Sequence, residues 1–390
     1  MTLKSFLTTF LTIATTVTYA QTKRLIVPGN IAVPRDTSVS KPLIAALDNF
    51  LIAAQKPNEE NTFIFPDEKI ETFIQLDEVF DIEKSKRFNN EHFYKPYLTN
   101  IVAIENNQYL IKVSYIGVND SIPILCGSFE FIAHKSANSY LFSSPLIRNT
   151  KNWKTTTAGN NTFHYQTSIN QTKLKEFEKL ASAFDKKLKA TNKKCVFYLC
   201  RDFVELQKLV GVDYKIQYNS YAQNNLTSSI GDNKLIILGS DNATFDNFDP
   251  HDLWHDRLSL VISRSKVNKP LDEAYAYLYG GSWGVSWAEI FKLFKEKVAS
   301  NKNTNWMEVK EQPLNFSTDP TRPMMADYVV DALLLKKIEK EKGFDGVWEF
   351  LNCGPYEKGN ENFYKALEKL TGITKANYNE KVWELVEKEK

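Results

Sequence analysis

The 390-residue sequence has no long block of one charge sign: 49 Lys and Arg stand against 47 Asp and Glu, a net charge of +2. A dedicated nucleic-acid binder normally carries a basic footprint, so the charge balance argues against that class. It argues equally against polybasic docking on a membrane surface. Beyond the first 20 residues no stretch offers ~18 uninterrupted apolar residues, so no spanning helix and no stable membrane insertion of the mature chain are expected. Cysteine is scarce, at four copies: Cys126, Cys195, Cys200 and Cys353. Cys195 and Cys200 flank Val-Phe-Tyr-Leu, a strand pattern on which residues five apart point to opposite faces. Their spacing fits neither a redox CxxC pair nor a zinc knuckle, so they read as buried free thiols. No repeat of 20–50 residues is apparent. Histidine has five copies, and two of them, His251 and His255, share one five-residue window.

What is present is an ordinary globular mix, with 43% apolar, 25% charged and 13% aromatic residues. The length is enough for two or three domains, each with its own core. The first 20 residues read as a signal peptide. Lys4 is the basic start, Phe6 to Val17 the apolar stretch, and Thr18-Tyr19-Ala20 the small-residue cleavage site before Gln21. The expected location is therefore outside the cytoplasm, periplasmic or secreted.

Residues 40–54 read as an amphipathic helix with Leu43, Ala46, Leu47, Phe50 and Leu51 on one stripe. Tyr109 to Tyr115 alternates as a half-buried strand, with strand neighbours at 122–125, 129–133 and 140–142. The expectation is an α+β chain. A small N-terminal domain of helix plus antiparallel sheet spans 21–148, and a polar, turn-rich linker follows at 149–161. The domain from 162 to 390 is expected to hold a short mixed sheet and a mostly helical C-terminal half. Its strands fall at 163–166, 195–200 and 234–238, with a helix at about 173–188. Asp202 caps another helix ending near Gly211. Further helices are expected near 250–264, 271–279, 287–299, 324–341, 344–351, 361–370 and 377–388.

The window that carries chemistry is Asp249-Pro250-His251-Asp252-Leu253-Trp254-His255-Asp256. Asp249 followed by Pro250 is a strong helix start, a capping carboxylate and then a residue suited to the first helical position. His251 and His255 then stand one turn apart on one face, a spacing that lets two imidazoles converge on one Zn²⁺. A catalytic zinc wants a third protein ligand. Glu273 supplies the candidate, on a short helix framed by Pro270 and Gly280-Gly281. Seventeen residues separate it from His255, enough to finish one helix, turn and begin the next. Ser286 and Glu289 form a capping box for the helix after it. Asp272 and Asp256 are candidates to orient a ligand histidine. The bland alternative is a pair of packing or surface histidines with Glu273 a charged face residue. His92, His134 and His164 are isolated and receive no role.

His251-Asp252-Leu253-Trp254-His255 resembles the HExxH motif of zinc metallopeptidases. Glu273-Ala274-Tyr275-Ala276 resembles the segment that carries the glutamate ligand in the gluzincin, or peptidase MA-like, family. The resemblance covers about residues 160–390. It implies a zinc site of His251, His255 and Glu273, a peptide or protein substrate or ligand, and the strand 234–238 as the edge strand that binds extended substrate. The downstream pattern around Tyr328, Gly343, Phe363, Gly372 and Trp383 resembles the helical tail of such exported proteins. In the family a glutamate takes a proton from the zinc-bound water; here that position is Asp252, shorter by one methylene. Tyr328 is placed to donate to a tetrahedral oxyanion, or else packs as an ordinary helix tyrosine.

Three functions follow as expectations. The first is an exported zinc metallopeptidase-like protein with Asp252 as general base. The second is a catalytically inactive relative that binds or scaffolds and retains zinc. The third is an HD-type phosphohydrolase, from the His255-Asp256 doublet. That one lacks a nearby upstream metal histidine, and export removes its usual nucleotide substrates.

Overall fold

A computed structural model describes residues 24–389. The proposed signal peptide, residues 1–20, lies outside them. Two compact units emerge. One comprises residues 24–67, 76–143 and 213–216; the other comprises 68–75, 144–212 and 217–389. The chain is α+β, as expected.

The elements run α1 (Thr37–Ala53), α2 (Lys69–Val79), β1 (Lys95–Ala103), β2 (Tyr109–Asn119), β3 (Ile122–Ser136), β4 (Ser139–Ser143) and α3 (Leu146–Asn149). Then come β5 (Lys154–Ala158), β6 (Asn161–Tyr165), α4 (Gln171–Leu188), β7 (Lys194–Leu199), α5 (Phe203–Leu209) and β8 (Val212–Lys215). The strands end with β9 (Asn224–Ile230) and β10 (Asn233–Gly239). The rest is helical: α6 (Pro250–Ser259), α7 (Lys269–Gly280), α8 (Trp287–Lys297), α9 (Trp306–Glu311), α10 (Ala326–Leu351), α11 (Glu361–Thr371) and α12 (Tyr378–Lys388).

In the first unit an antiparallel meander β1-β2-β3-β4, with β8 added on β3, carries α1 on one face. The stripe read from the sequence is the contact: Leu43, Ala46, Leu47, Phe50 and Leu51 are all buried. Phe50 stacks on Phe142 of β4 at 4.8 Å and meets Phe131 of β3 edge-on at 5.2 Å.

In the second unit the sheet order is β5-β6-β7-β10-β9. The three central strands are parallel, and β5 and β9 flank them antiparallel. Two sequence expectations change here. The stretch 149–161, expected as a linker, contains β5 and the first residue of β6; its threonines are β-branched and pair with β6. The strand 234–238, expected at the edge, is interior. Its near-continuous apolar run Leu235–Leu238 suits a strand paired on both sides, and the polar β9 takes the edge.

A Phe163, Phe177, Phe197 and Phe245 cluster joins α4 to this sheet, with ring centroids 4.7–5.7 Å apart. Cys195 and Cys200 are buried and free, as read from the sequence. Asp202 caps α5 by accepting from the Glu205 N–H. The expected break between helices 324–341 and 344–351 is a single interruption of α10 at Gly343, where φ is 68°. Among the described residues no helix is long and apolar enough to cross a membrane.

Candidate metal centre

Asp249 accepts from the His251 N–H at 2.8 Å and Pro250 occupies the first turn, so α6 begins where the sequence places it. It ends at Ser259, a turn earlier than expected, where the Ser259 hydroxyl donates to the Asp256 carbonyl at 2.7 Å. The reversal that follows brings Arg264 back over α7. Underneath, α6 is locked by Arg257, which is 1% exposed and forks onto Asp185 of α4 at 2.6 and 2.5 Å. Its remaining nitrogen donates to Asn161 at 3.2 Å.

The opposite side of α6 meets α7. Trp254 Nε1 donates to Asp272 Oδ1 at 2.9 Å, and its ring lies 4.3 Å from that of Tyr275. The end of α7 approaches the start of α6 so closely that a Cβ on Gly280 would stand 2.3 Å from the His251 backbone nitrogen. Gly281 follows with φ +73° and turns its carbonyl toward the His251 ring.

His251, His255 and Glu273 come together with their donor atoms all within 4.8 Å. His251 Nδ1 donates to the Gly281 carbonyl at 2.8 Å, and His255 Nδ1 donates to Asp272 at 2.9 Å. Both imidazoles therefore turn Nε2 inward, 3.1 Å apart. Glu273 Oε2 lies 3.3 Å from His251 Nε2 and 3.5 Å from His255 Nε2. A tetrahedral ion with ligands at ~2.0–2.1 Å has donors ~3.3–3.4 Å apart, so the spacing and the N₂O donor chemistry fit Zn²⁺. The fixing of each ring through its other nitrogen is the usual support of a metal-bound histidine. Gly281 is the supporting partner that sequence reasoning missed, because a backbone carbonyl leaves no residue-type signal.

Burial would pull the His255 pKa down, but the Asp272 and Glu273 carboxylates outweigh it and push it up to about 9. Burial would raise the Glu273 carboxyl, yet hydrogen bonds from the two imidazoles hold it well below the usual range. The pocket thus favours positive charge between these three side chains. Arg264 supplies charge from outside: Nε donates to Asp272 at 2.7 Å and Nη2 to Glu273 Oε1 at 2.9 Å. One glutamate oxygen is pinned by Arg264 and the other faces the imidazoles.

Of the two aspartates expected to orient histidines, Asp272 does so and Asp256 does not. Asp256 instead meets Lys234 Nζ at 3.4 Å. It follows His255 directly, so it points ~100° away around the helix. Asp252 lines a cavity of about 590 Å³ beside α6. Partial desolvation at the cavity wall and the Asp249 carboxylate raise its pKa, opposed by the charges of both imidazoles. Tyr328 packs edge-on against Tyr277 at 5.6 Å, and Tyr277 lies 5.8 Å from His251. Burial and the charges of Asp327 and Glu273 raise its pKa, so it keeps its proton at neutral pH.

No family model, curated protein or solved structure matches the chain.

Proposed function

We propose that the protein is an exported, gluzincin-like zinc metallopeptidase that hydrolyses peptide bonds with Asp252 as general base. The observation that carries this reading is the trio of inward-facing donors, 3.1–3.5 Å apart, with both Nδ1 atoms already engaged. When bound, zinc supplies an acidified water and polarises a carbonyl.

The chain's own residues do the rest. His251, His255 and Glu273 would hold the ion, and Asp272 and the Gly281 carbonyl keep the rings aimed. Asp252 accepts a proton at its carboxylate and returns it to the leaving amine, work for which a raised pKa is the useful direction. Protonated Tyr328 donates to the developing oxyanion. The edge strand β9 pairs with a strand on one side only, and an extended peptide adds on the other as a further strand. The leader-like first 20 residues support action outside the cytoplasm.

A second reading is a relative that holds zinc without hydrolysis. The observation that favours it concerns Asp252, which is not among the side chains whose donor atoms converge. Asp252 also reaches ~1 Å less than glutamate, and a misplacement of that size costs about 10²-fold. A mixed peptide library, incubated with and without chelator, separates the two. Chelator-sensitive cleavage by the wild type supports the peptidase. Cleavage by Asp252→Glu alone supports the second reading.

A further inference from the structure

The cavity beside α6 has the volume of a small-ligand site, about 590 Å³. Phe177, Phe197, Phe245 and Phe248 are among its lining residues. Its wall carries four carboxylates, Asp241, Asp249, Asp252 and Asp256, and no Lys, Arg or His lines it. Asp249 spends an oxygen on capping α6, and Asp256 meets Lys234. Among the described residues Asp241 and Asp252 form no ion pair. Carboxylates sharing one wall repel each other, and a cation in their midst relieves that repulsion.

A lining that mixes phenylalanines with carboxylates matches the build of Lys and Arg, whose methylene stems bury while the charged head stays among polar groups. The aromatic residues of the lining add a surface to which such cations are attracted. An apolar side chain would desolvate the carboxylates without compensation, and an acidic one would be repelled. We infer that this cavity is the specificity pocket of the centre and takes a Lys or Arg side chain of the peptide next to the scissile bond. The inference rests on the peptidase reading above, because Asp252 belongs to both the cavity wall and the proposed centre.

The test uses the full chain with zinc supplied. The probes are blocked alanine pentapeptides that carry Arg, norleucine or Glu at the central position. Binding is measured by isothermal titration at about 0.05 M and about 0.5 M salt, with cleavage followed in parallel. The Arg peptide is expected to bind at least ~10-fold tighter than the norleucine peptide, with the advantage shrinking at high salt. The Asp241→Asn/Asp249→Asn double variant removes two charges. Asn tolerates the left-handed backbone at position 241, where φ is 54°, and replaces Asp as a helix cap at 249. The variant should keep its zinc content and lose at least ~5-fold of the Arg advantage.

Equal binding of Arg and norleucine, an advantage that survives in the double variant, or no binding of any pentapeptide would each overturn the inference. An Arg preference in a protein that neither holds zinc nor cleaves would sink the peptidase reading, and with it the place of the pocket beside a scissile bond, and leave only a pocket for a basic side chain. Zinc-dependent cleavage with no basic preference would do the reverse.

Discussion

Two imidazoles one turn apart become a pair of donors only when each ring's other nitrogen is occupied. Here the Gly281 carbonyl and the Asp272 carboxylate occupy them. Asp272 is 1% exposed and also accepts from Trp254 and Arg264, so it fixes one ring and two elements at once. Asp272→Asn keeps the shape but weakens the hold on His255, and zinc affinity is expected to fall ~10–100-fold in a competition titration with a chelator. An unchanged affinity would remove Asp272 from the centre. His251 and His255 were legible because helical spacing alone puts them on one face, and Glu273 because Pro270 and Gly280-Gly281 frame a short helix that carries it. Arg264 was not, because it arrives through the irregular reversal after Ser259, which no periodicity announces. Asp256 was misplaced because adjacency in sequence is not adjacency around a helix.

Among the elements, the α6–α7 contact sets the distance between the histidines and the glutamate. Gly280 permits it. In Gly280→Ala the new methyl would meet backbone rather than a flexible side-chain end. A loss of ~1–3 kcal/mol in urea unfolding is expected, together with weaker zinc binding, as α6 shifts His251 away. A variant with wild-type stability and affinity would contradict this packing role.

Long, strongly periodic elements such as α1, α4, α8 and α12 were readable because their apolar stripes repeat at the helical period. α9 escaped notice as a six-residue helix, too short to show a period. β5 and β9 escaped because edge strands need few apolar residues: Lys-Thr-Thr-Thr-Ala and Asn-Asn-Leu-Thr-Ser-Ser-Ile look like loop in sequence. The edge that the family resemblance implied for 234–238 belongs to β9 instead.

At the scale of the whole molecule, stability depends on a few buried polar groups. Removing one partner of the Arg257–Asp185 pair strands a buried charge, so Asp185→Ala is expected to cost about 3–5 kcal/mol by urea denaturation. A change below 1 kcal/mol on the same scale would mean that this pair does not anchor α6. His134 in the first unit behaves differently. It is buried against Phe65, bonded to Ser143 at 2.8 Å, and burial lowers its pKa to about 4. The folded state therefore resists a proton that the unfolded chain accepts below about 6.5. Its contribution is complete above pH ~6.5 and is lost as pH falls toward ~4, by as much as ~3 kcal/mol. His134→Gln should flatten that part of the stability profile, and an identical profile in the variant would refute the assignment.

The central claim concerns an ion, and it is tested most directly by the metal content of the purified chain, measured by atomic emission after extensive dialysis. The wild type is expected to retain about one zinc per chain, and His251→Ala and Glu273→Ala to retain essentially none while staying folded. Zinc absent from the wild type, or present equally in both variants, would contradict the account.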